Sequence, residues 1–283
     1  MCSGDYEFIN LKGVFMFMDI VRNCASFAIF FLYMGLAVLP GLLLIYLPHS
    51  WPWVQFLYGN LLKTTAKVVL FSTFLPVTYQ GFEPLPQRPV IFIANHESAL
   101  DIPLVASVIE SRPYVWVSKS ELMQYPILKQ FLSHSALLVY SKDSRDHARK
   151  GVVEAGVERL KNGCSVMIFP EGGRYTDGTI HPFFSGFAAM AKLSGAPVVP
   201  LYISGTGKAM PMGQHYITQA PLIITVGKPM ICGQDESVED FKKRAYDWYV
   251  ELNWRRDYLL EHYGLRICET GMGKITGNAL LQS

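Results

Sequence analysis

Between Arg22 and Lys63 the chain runs for forty residues without one Asp, Glu, Lys or Arg. Within that stretch, Phe27 to Leu47 forms an apolar run of 21 residues, about the length that crosses a hydrocarbon core. Pro40-Gly41 falls inside it, so a kinked span and a re-entrant pair of half-helices stand beside a straight span. A buried hairpin of a soluble protein is the remaining alternative. A cleaved signal peptide does not fit, because the start carries Asp5, Glu7, Lys12, Asp19 and Arg22 and the apolar core is overlong. The segment is therefore read as retained.

The next apolar stretch, Trp51 to Leu75, has a different pattern. Asn60, Lys63 and Lys67 share one helical face, and Trp51 and Trp53 stand at its start. Such a helix suits the membrane interface, with packing onto the protein's own core as the other reading. Residues 1–75 are thus expected to form an N-terminal membrane-associated helical segment. The polar chemistry begins after it.

Composition narrows the class. Of 283 residues, 50% are apolar and 17% charged, against a usual charged share of about 25%. A disordered chain would need the opposite balance. With 25 basic and 23 acidic residues and no basic run, a nucleic-acid partner is not expected. The five cysteines, at 2, 24, 164, 232 and 268, lack the paired spacing of a disulfide framework or zinc site. Reduced thiols and a domain facing the cytoplasm follow as expectations, with no metal.

From about Pro76 short apolar runs alternate with helical segments. Residues 88–94, 114–118, 136–140, 164–169, 198–203 and 222–226 read as strands. Most are continuously apolar, as in sheets covered on both faces. Residues 100–110 and 148–160 read as helices, and a last helix starts at Ser237, with Asp240 completing a capping box. The fold expected is α/β, a mainly parallel sheet flanked by helices, over residues 76–270. Residues 271–283 carry no pattern and read as a loose tail.

Two constellations sit at strand ends, where open α/β sheets place their sites. The first is Asn95-His96-Glu97-Ser98-Ala99-Leu100-Asp101. His96 and Asp101 meet only if the chain turns between them, with Ser98 capping the helix and Asp101 in its first turn. Asp101 would then fix the imidazole tautomer and leave the other nitrogen as a base. The second is Phe169-Pro-Glu-Gly-Gly-Arg174. Gly172-Gly173 can expose backbone N–H groups, and Arg174 offers a planar fork for phosphate. Glu171 would orient that Arg or hold a substrate hydroxyl. Val139-Tyr140-Ser141-Lys142 adds a cation at a third strand end, and Val199-Pro200 reads as an apolar wall.

In order and spacing these blocks resemble the glycerolipid acyltransferase family, including the 1-acylglycerol-3-phosphate O-acyltransferases. Asn95-His96…Asp101 matches its first motif, Phe169 to Arg174 its phosphate-site motif with Gly173 in the variable place, and Val199-Pro200 its Val-Pro block. Lys119-Ser-Glu-Leu is a further family feature, and the likeness covers about residues 76–230. Two positions depart. Lys142 stands where the family's second motif usually ends in Arg, and Ser185 stands where many lysophosphatidate enzymes carry a basic residue.

The resemblance implies direct acyl transfer without a cofactor. His96, oriented by Asp101, would deprotonate a lysophospholipid hydroxyl, which attacks the thioester of acyl-CoA or acyl-carrier protein. Glu171, Gly172, Gly173, Arg174 and Lys142 would hold the acceptor's phosphate or another polar headgroup. The partners implied are that donor, the lysophospholipid and the bilayer. The alternatives are a transacylase or an acyltransferase for another headgroup, then a membrane esterase, then a non-catalytic lipid-binding protein.

Overall fold

The computed structural model describes residues 11–47, 51–81, 84–109, 113–124, 138–140, 145–214 and 216–263. The expected tail over 271–283, together with Lys142, lies outside these residues. Helices α1 (Leu11–Tyr46) and α2 (Pro52–Ser72) come first. Then follow β1 (Val77–Gln80), β2 (Ile91–Ala94), α3 (Asp101–Val108), β3 (Tyr114–Lys119) and β4 (Leu138–Tyr140). The chain continues through α4 (Arg145–Lys161), β5 (Ser165–Ile168), α5 (Gly186–Ser194) and β6 (Val198–Ser204). A single turn α6 (Thr206–Ala209), β7 (Leu222–Val226) and α7 (Val238–Tyr263) complete the order.

The strands form one sheet in the order β1-β7-β6-β2-β5-β3-β4. All neighbours are parallel except β6 and β7. The mainly parallel α/β expectation therefore stands. Strand β2 lies at the centre with every residue buried, and its alternation explains why the sequence reads as continuously apolar. Phe92 and Ala94 face a core shared with Leu70 of α2 and Leu104 and Val105 of α3. Ile91 and Ile93 face the opposite core, with Phe187 and Met190 of α5 and Phe241 and Tyr249 of α7.

Four elements were not anticipated, the first a 3-10 helix at Ser120–Gln124. Strand β1 is short, on the sheet edge, and alternates with polar Thr78 and Gln80. Helix α5 spans nine residues, too few to show a period, and stops at Gly195 in the left-handed region (φ 68°). Turn α6 is shorter still.

At the N-terminus α1 continues as one helix through Pro40. Its stretch Phe17–Gly41 is long and apolar enough to cross a membrane, and only 6% of that window is buried. Helix α2 runs back along α1, with Leu44 packed on Tyr58 and the Tyr33 hydroxyl 2.9 Å from Thr65 Oγ1. It also packs on α3 and sends Leu70 into the domain core, so the core-packing reading of α2 holds for that face. Trp51, Trp53, Phe56 and Phe71 stay exposed on it.

One side chain repairs the ladder beside the site. Tyr249 is fully buried, and its hydroxyl accepts from Leu201 N (3.1 Å) and donates to Ile93 O (2.7 Å), between paired strands β6 and β2. Removing it leaves two buried backbone groups short of a partner. Tyr249→Phe should cost about 1–3 kcal/mol, read as a lower denaturant midpoint at unchanged slope.

Candidate active site

Ala94 ends β2, and the next two residues are fixed by side chains from other elements. Asn95 acts as an extension of the ladder, donating Nδ2 to Ile203 O (2.9 Å) and accepting from Ile203 N at Oδ1 (2.7 Å). His96 N donates to Glu171 Oε1 (3.0 Å), and His96 O accepts from Tyr175 N (2.9 Å). The backbone under the imidazole is thus tied to β6 and to the segment after β5.

The chain then turns over Asp101. Its buried Oδ2 accepts from Glu97 N (2.7 Å) and Ser98 N (2.8 Å) and lies 2.7 Å from His96 Nδ1. A carboxylate only accepts, so Nδ1 carries the proton and Nε2 presents its lone pair. The sequence expectation of Ser98 as helix cap needs correcting. Helix α3 starts at Asp101 with Leu100 at the cap position. Ser98 Oγ instead donates to Met210 O (2.7 Å) and accepts from Leu100 N (3.3 Å). No side chain caps α3, and the Asp101 carboxylate folds back onto the turn before its own helix.

The imidazole is clamped on its face as well. Its ring stacks on Phe169 at 3.8 Å and 10°, and Phe169 stacks on Trp116 at 5.8 Å. Arg174 Nε donates to His96 Nε2 at 3.2 Å. The structure therefore brings His96, Asp101 and Arg174 into one line of contacts.

Glu171 lies directly behind them and 4% exposed. Its two oxygens accept from His96 N (3.0 Å) and His181 N (3.1 Å), so it braces two loops and does not touch Arg174. Gly172 has φ +67°, and a Cβ there would sit 2.5 Å from the Phe184 ring. Its N–H closes the turn onto Phe169 O (3.1 Å), so the donor expected from Gly172 is used internally. Gly173 lies against the Tyr175 ring. Lys142 falls outside the described residues.

Several neighbours escaped the sequence reading. Glu97 accepts from Gly207 N (3.2 Å) and lies beside Asp101. Tyr175 stacks on His181 at 3.6 Å, and His181 Nε2 pairs with Asp177 Oδ2 at 2.8 Å. Helix α7 grips the same loop, with Asn253 Nδ2 and Arg256 Nη2 on Gly178 O and the Tyr246 hydroxyl on Ile180 O. Position beside the motif was a signal for Glu97. For α7, some 80 residues away, there was none.

Burial pushes the carboxyls of Glu171 and Glu97 up to about 7, against the backbone N–H bonds that favour the charged form; Asp101 adds repulsion at Glu97. Each binds its proton more tightly folded than unfolded. Stability should therefore fall as pH rises from 4.5 towards 7. Glu171→Gln should flatten that slope. It should also cost about 1–3 kcal/mol at pH 5, since both oxygens of the protonated carboxyl keep a lone pair for an N–H, whereas an amide turns its NH2 towards one of them. Thermal unfolding of both proteins across this range is the measurement.

Residues 76–204 match the family model described as Acyltransferase. The 1-acyl-sn-glycerol-3-phosphate acyltransferase of Limnanthes douglasii is 29% identical over 243 residues, 84% of this chain and 84% of that protein. The chloroplastic BAT2 protein of the same description from Brassica napus is 33% identical over 171 residues, 59% of this chain and 48% of its own length. In fold, the chain is similar to the crystal structure of the lysophosphatidate acyltransferase PlsC from Thermotoga maritima. The TM-score is 0.68 at 22% identity, over 84% of this chain and 98% of that one. The matched segment holds the central strands and both motif loops, so the similarity to these acyltransferases falls on the residues that build the site.

Proposed function

We propose that this acyltransferase moves a fatty acyl chain from a thioester, acyl-CoA or acyl-carrier protein, to the free hydroxyl of a lysophospholipid. The acceptor that fits best is 1-acylglycerol-3-phosphate, giving phosphatidic acid. The observation that carries the reading is the line Asp101–His96–Arg174, with bonds of 2.7 and 3.2 Å. It puts a base of fixed tautomer beside a cation suited to phosphate. The printed names of the relatives point to the same acceptor.

In this mechanism the acceptor hydroxyl gives its proton to His96 Nε2 as its oxygen attacks the thioester carbon. Asp101 stabilises the imidazolium that forms. The C–S bond then breaks and His96 returns the proton to the thiolate, so no acyl-enzyme is needed. Arg174, the Gly173 N–H and Lys142 meet the phosphate, while Glu171 and Gly172 hold the loop that presents them. Ser185, which precedes α5 where a basic residue is common, favours a second reading with another lysophospholipid headgroup.

The N-terminal segment, residues 1–75, is proposed as the membrane anchor, with the catalytic domain on the cytoplasmic face. Its support is the exposed apolar surface of α1 and α2. Leu36 and Leu39 are 70% and 73% exposed, more than a soluble surface usually leaves contiguous. The free thiols Cys24, Cys164 and Cys232 suit a reducing compartment.

A labelled acyl donor with a panel of lysolipids tests the reaction. His96→Ala should abolish transfer in a folded protein, and Asp101→Asn should lower kcat by about 10³–10⁴ by misdirecting the imidazole. Near-normal turnover by His96→Ala would reject the assignment. Arg174→Ala should raise the KM for lysophosphatidate about ten- to a hundredfold, the loss of a charged hydrogen bond. An equal loss for an uncharged lysolipid would move the phosphate site elsewhere.

For the anchor, deleting residues 1–75 would also strip Leu70 and Leu75 from the core. Point changes are cleaner. Leu36→Lys with Leu39→Lys should shift the protein from membranes to the soluble fraction at unchanged melting temperature, as charge opposes insertion. Undiminished membrane binding would show that α1 does not anchor the chain.

A further inference from the structure

A base that takes a proton through Nε2 needs that lone pair free. Here it is occupied. Asp101 holds Nδ1–H at 2.7 Å, and Arg174 Nε donates to Nε2 at 3.2 Å, so both ring nitrogens are engaged. The imidazole has little freedom to turn away, since Phe169 covers one face at 3.8 Å and Asp101 is fully buried. Arg174 is the movable partner. It is exposed, follows two glycines, and its bond to Nε2 is its one side-chain hydrogen bond among the described residues.

A guanidinium binds a phosphate dianion far better than a neutral imidazole, because charge assists both partners and two oxygens fit its fork. We infer that Arg174 is a specificity-determining gate on the base: it covers His96 Nε2 until a phosphate dianion beside the loop draws it off. This deepens the proposed acceptor site and rests on its reading of Arg174 as the phosphate ligand. Phosphate recognition and base release then become one event.

The consequence is discrimination against water. With Arg174 in place, a water molecule near the thioester finds no free base. Hydrolysis would need the same step as transfer: the water proton goes to Nε2, the new C–O bond forms, the C–S bond breaks, and the proton passes to the thiolate. A neutral lysolipid is excluded likewise, because its hydroxyl arrives without the anion that opens the gate.

Three measurements with the full-length protein test this, using palmitoyl thioesters of coenzyme A and acyl-carrier protein. Without acceptor, Arg174→Ala should hydrolyse the thioester about tenfold faster than wild type or more, the size set by removing a charged hydrogen bond. A residue that served only to bind acceptor or support the loop would lower this rate or leave it unchanged. With monoacylglycerol as acceptor, inorganic phosphite should stimulate transfer by wild type and have no effect on Arg174→Ala. Arg174→Lys should keep part of the phosphite response. With lysophosphatidate, phosphite should compete rather than stimulate, which separates the tethered headgroup from the free anion.

Unchanged or slower hydrolysis by Arg174→Ala overturns the gate. If its lysophosphatidate KM still rises, the acceptor reading survives that failure. Faster hydrolysis with no phosphite response in wild type overturns phosphate as the releasing ligand. No lysophosphatidate transfer by wild type overturns the acceptor reading separately.

Discussion

One oxygen atom sets the geometry of the candidate active site. Asp101 Oδ2 gathers the His96 imidazole and the N–H groups of Glu97 and Ser98, all within 2.8 Å. A carboxylate buried this completely needs strong donors, and these three all meet Oδ2, while Oδ1 has no hydrogen-bond partner among the described residues. The same contacts force the turn that brings residues five apart together, which a continuous helix would hold about 140° apart. They also fix the tautomer. Chain path and proton position therefore follow from one interaction, and neither survives its loss alone.

Buried Glu171 and half-buried Glu97 extend that frame. Glu171 ties the His96 backbone to that of His181, and Glu97 ties the same turn to Gly207 after β6. Both are pushed up to about 7 by burial, which marks a region where added negative charge is costly. Arg256, from α7, lies close enough to ease that cost at Glu97 while holding Gly178 O. Its helix lies beyond the segment matched by the family model, yet it secures the loop that follows Arg174.

Local patterns made the centre of the fold legible. Strands β2, β5 and β6 read as buried because their apolar runs are continuous, and both motifs fell at strand ends with spacing that chemistry explains. The capping pair at Ser237 was readable too: Asp240 N donates to Ser237 Oγ at 3.1 Å, ahead of α7. What escaped depends on contacts between distant residues. Glu171 was expected to orient Arg174 or to hold a substrate hydroxyl, and its oxygens meet backbone N–H groups 75 and 10 residues away. Nothing in the sequence near Tyr249 shows that its hydroxyl will enter the ladder between Leu201 and Ile93. Ser98 misled because its spacing to Asp101 fits a cap, while its hydroxyl goes to Met210 O and no side chain caps α3.

The turn around Asp101 is also tied to the apolar N-terminal helix through a loop. In α1, Asn23 Oδ1 accepts from Ile217 N (2.6 Å) and its Nδ2 donates to Ile217 O (2.9 Å), while Arg22 Nη2 reaches Ile217 O as well. Asn23 thus pairs with the 210–219 loop much as a strand would. At the start of that loop, Met210 O accepts the Ser98 hydroxyl, two residues from His96. Hydrogen bonds of this kind fix position as well as adding stability. On the proposed reading, α1 lies in or on the bilayer, so the mouth of the site is held at a set height from the apolar phase. A lysophospholipid can then keep its chain in lipid while its hydroxyl reaches His96. Polar residues at the edge of a charge-free run are what that placement requires, and Arg22 and Asn23 stand where the forty-residue run begins.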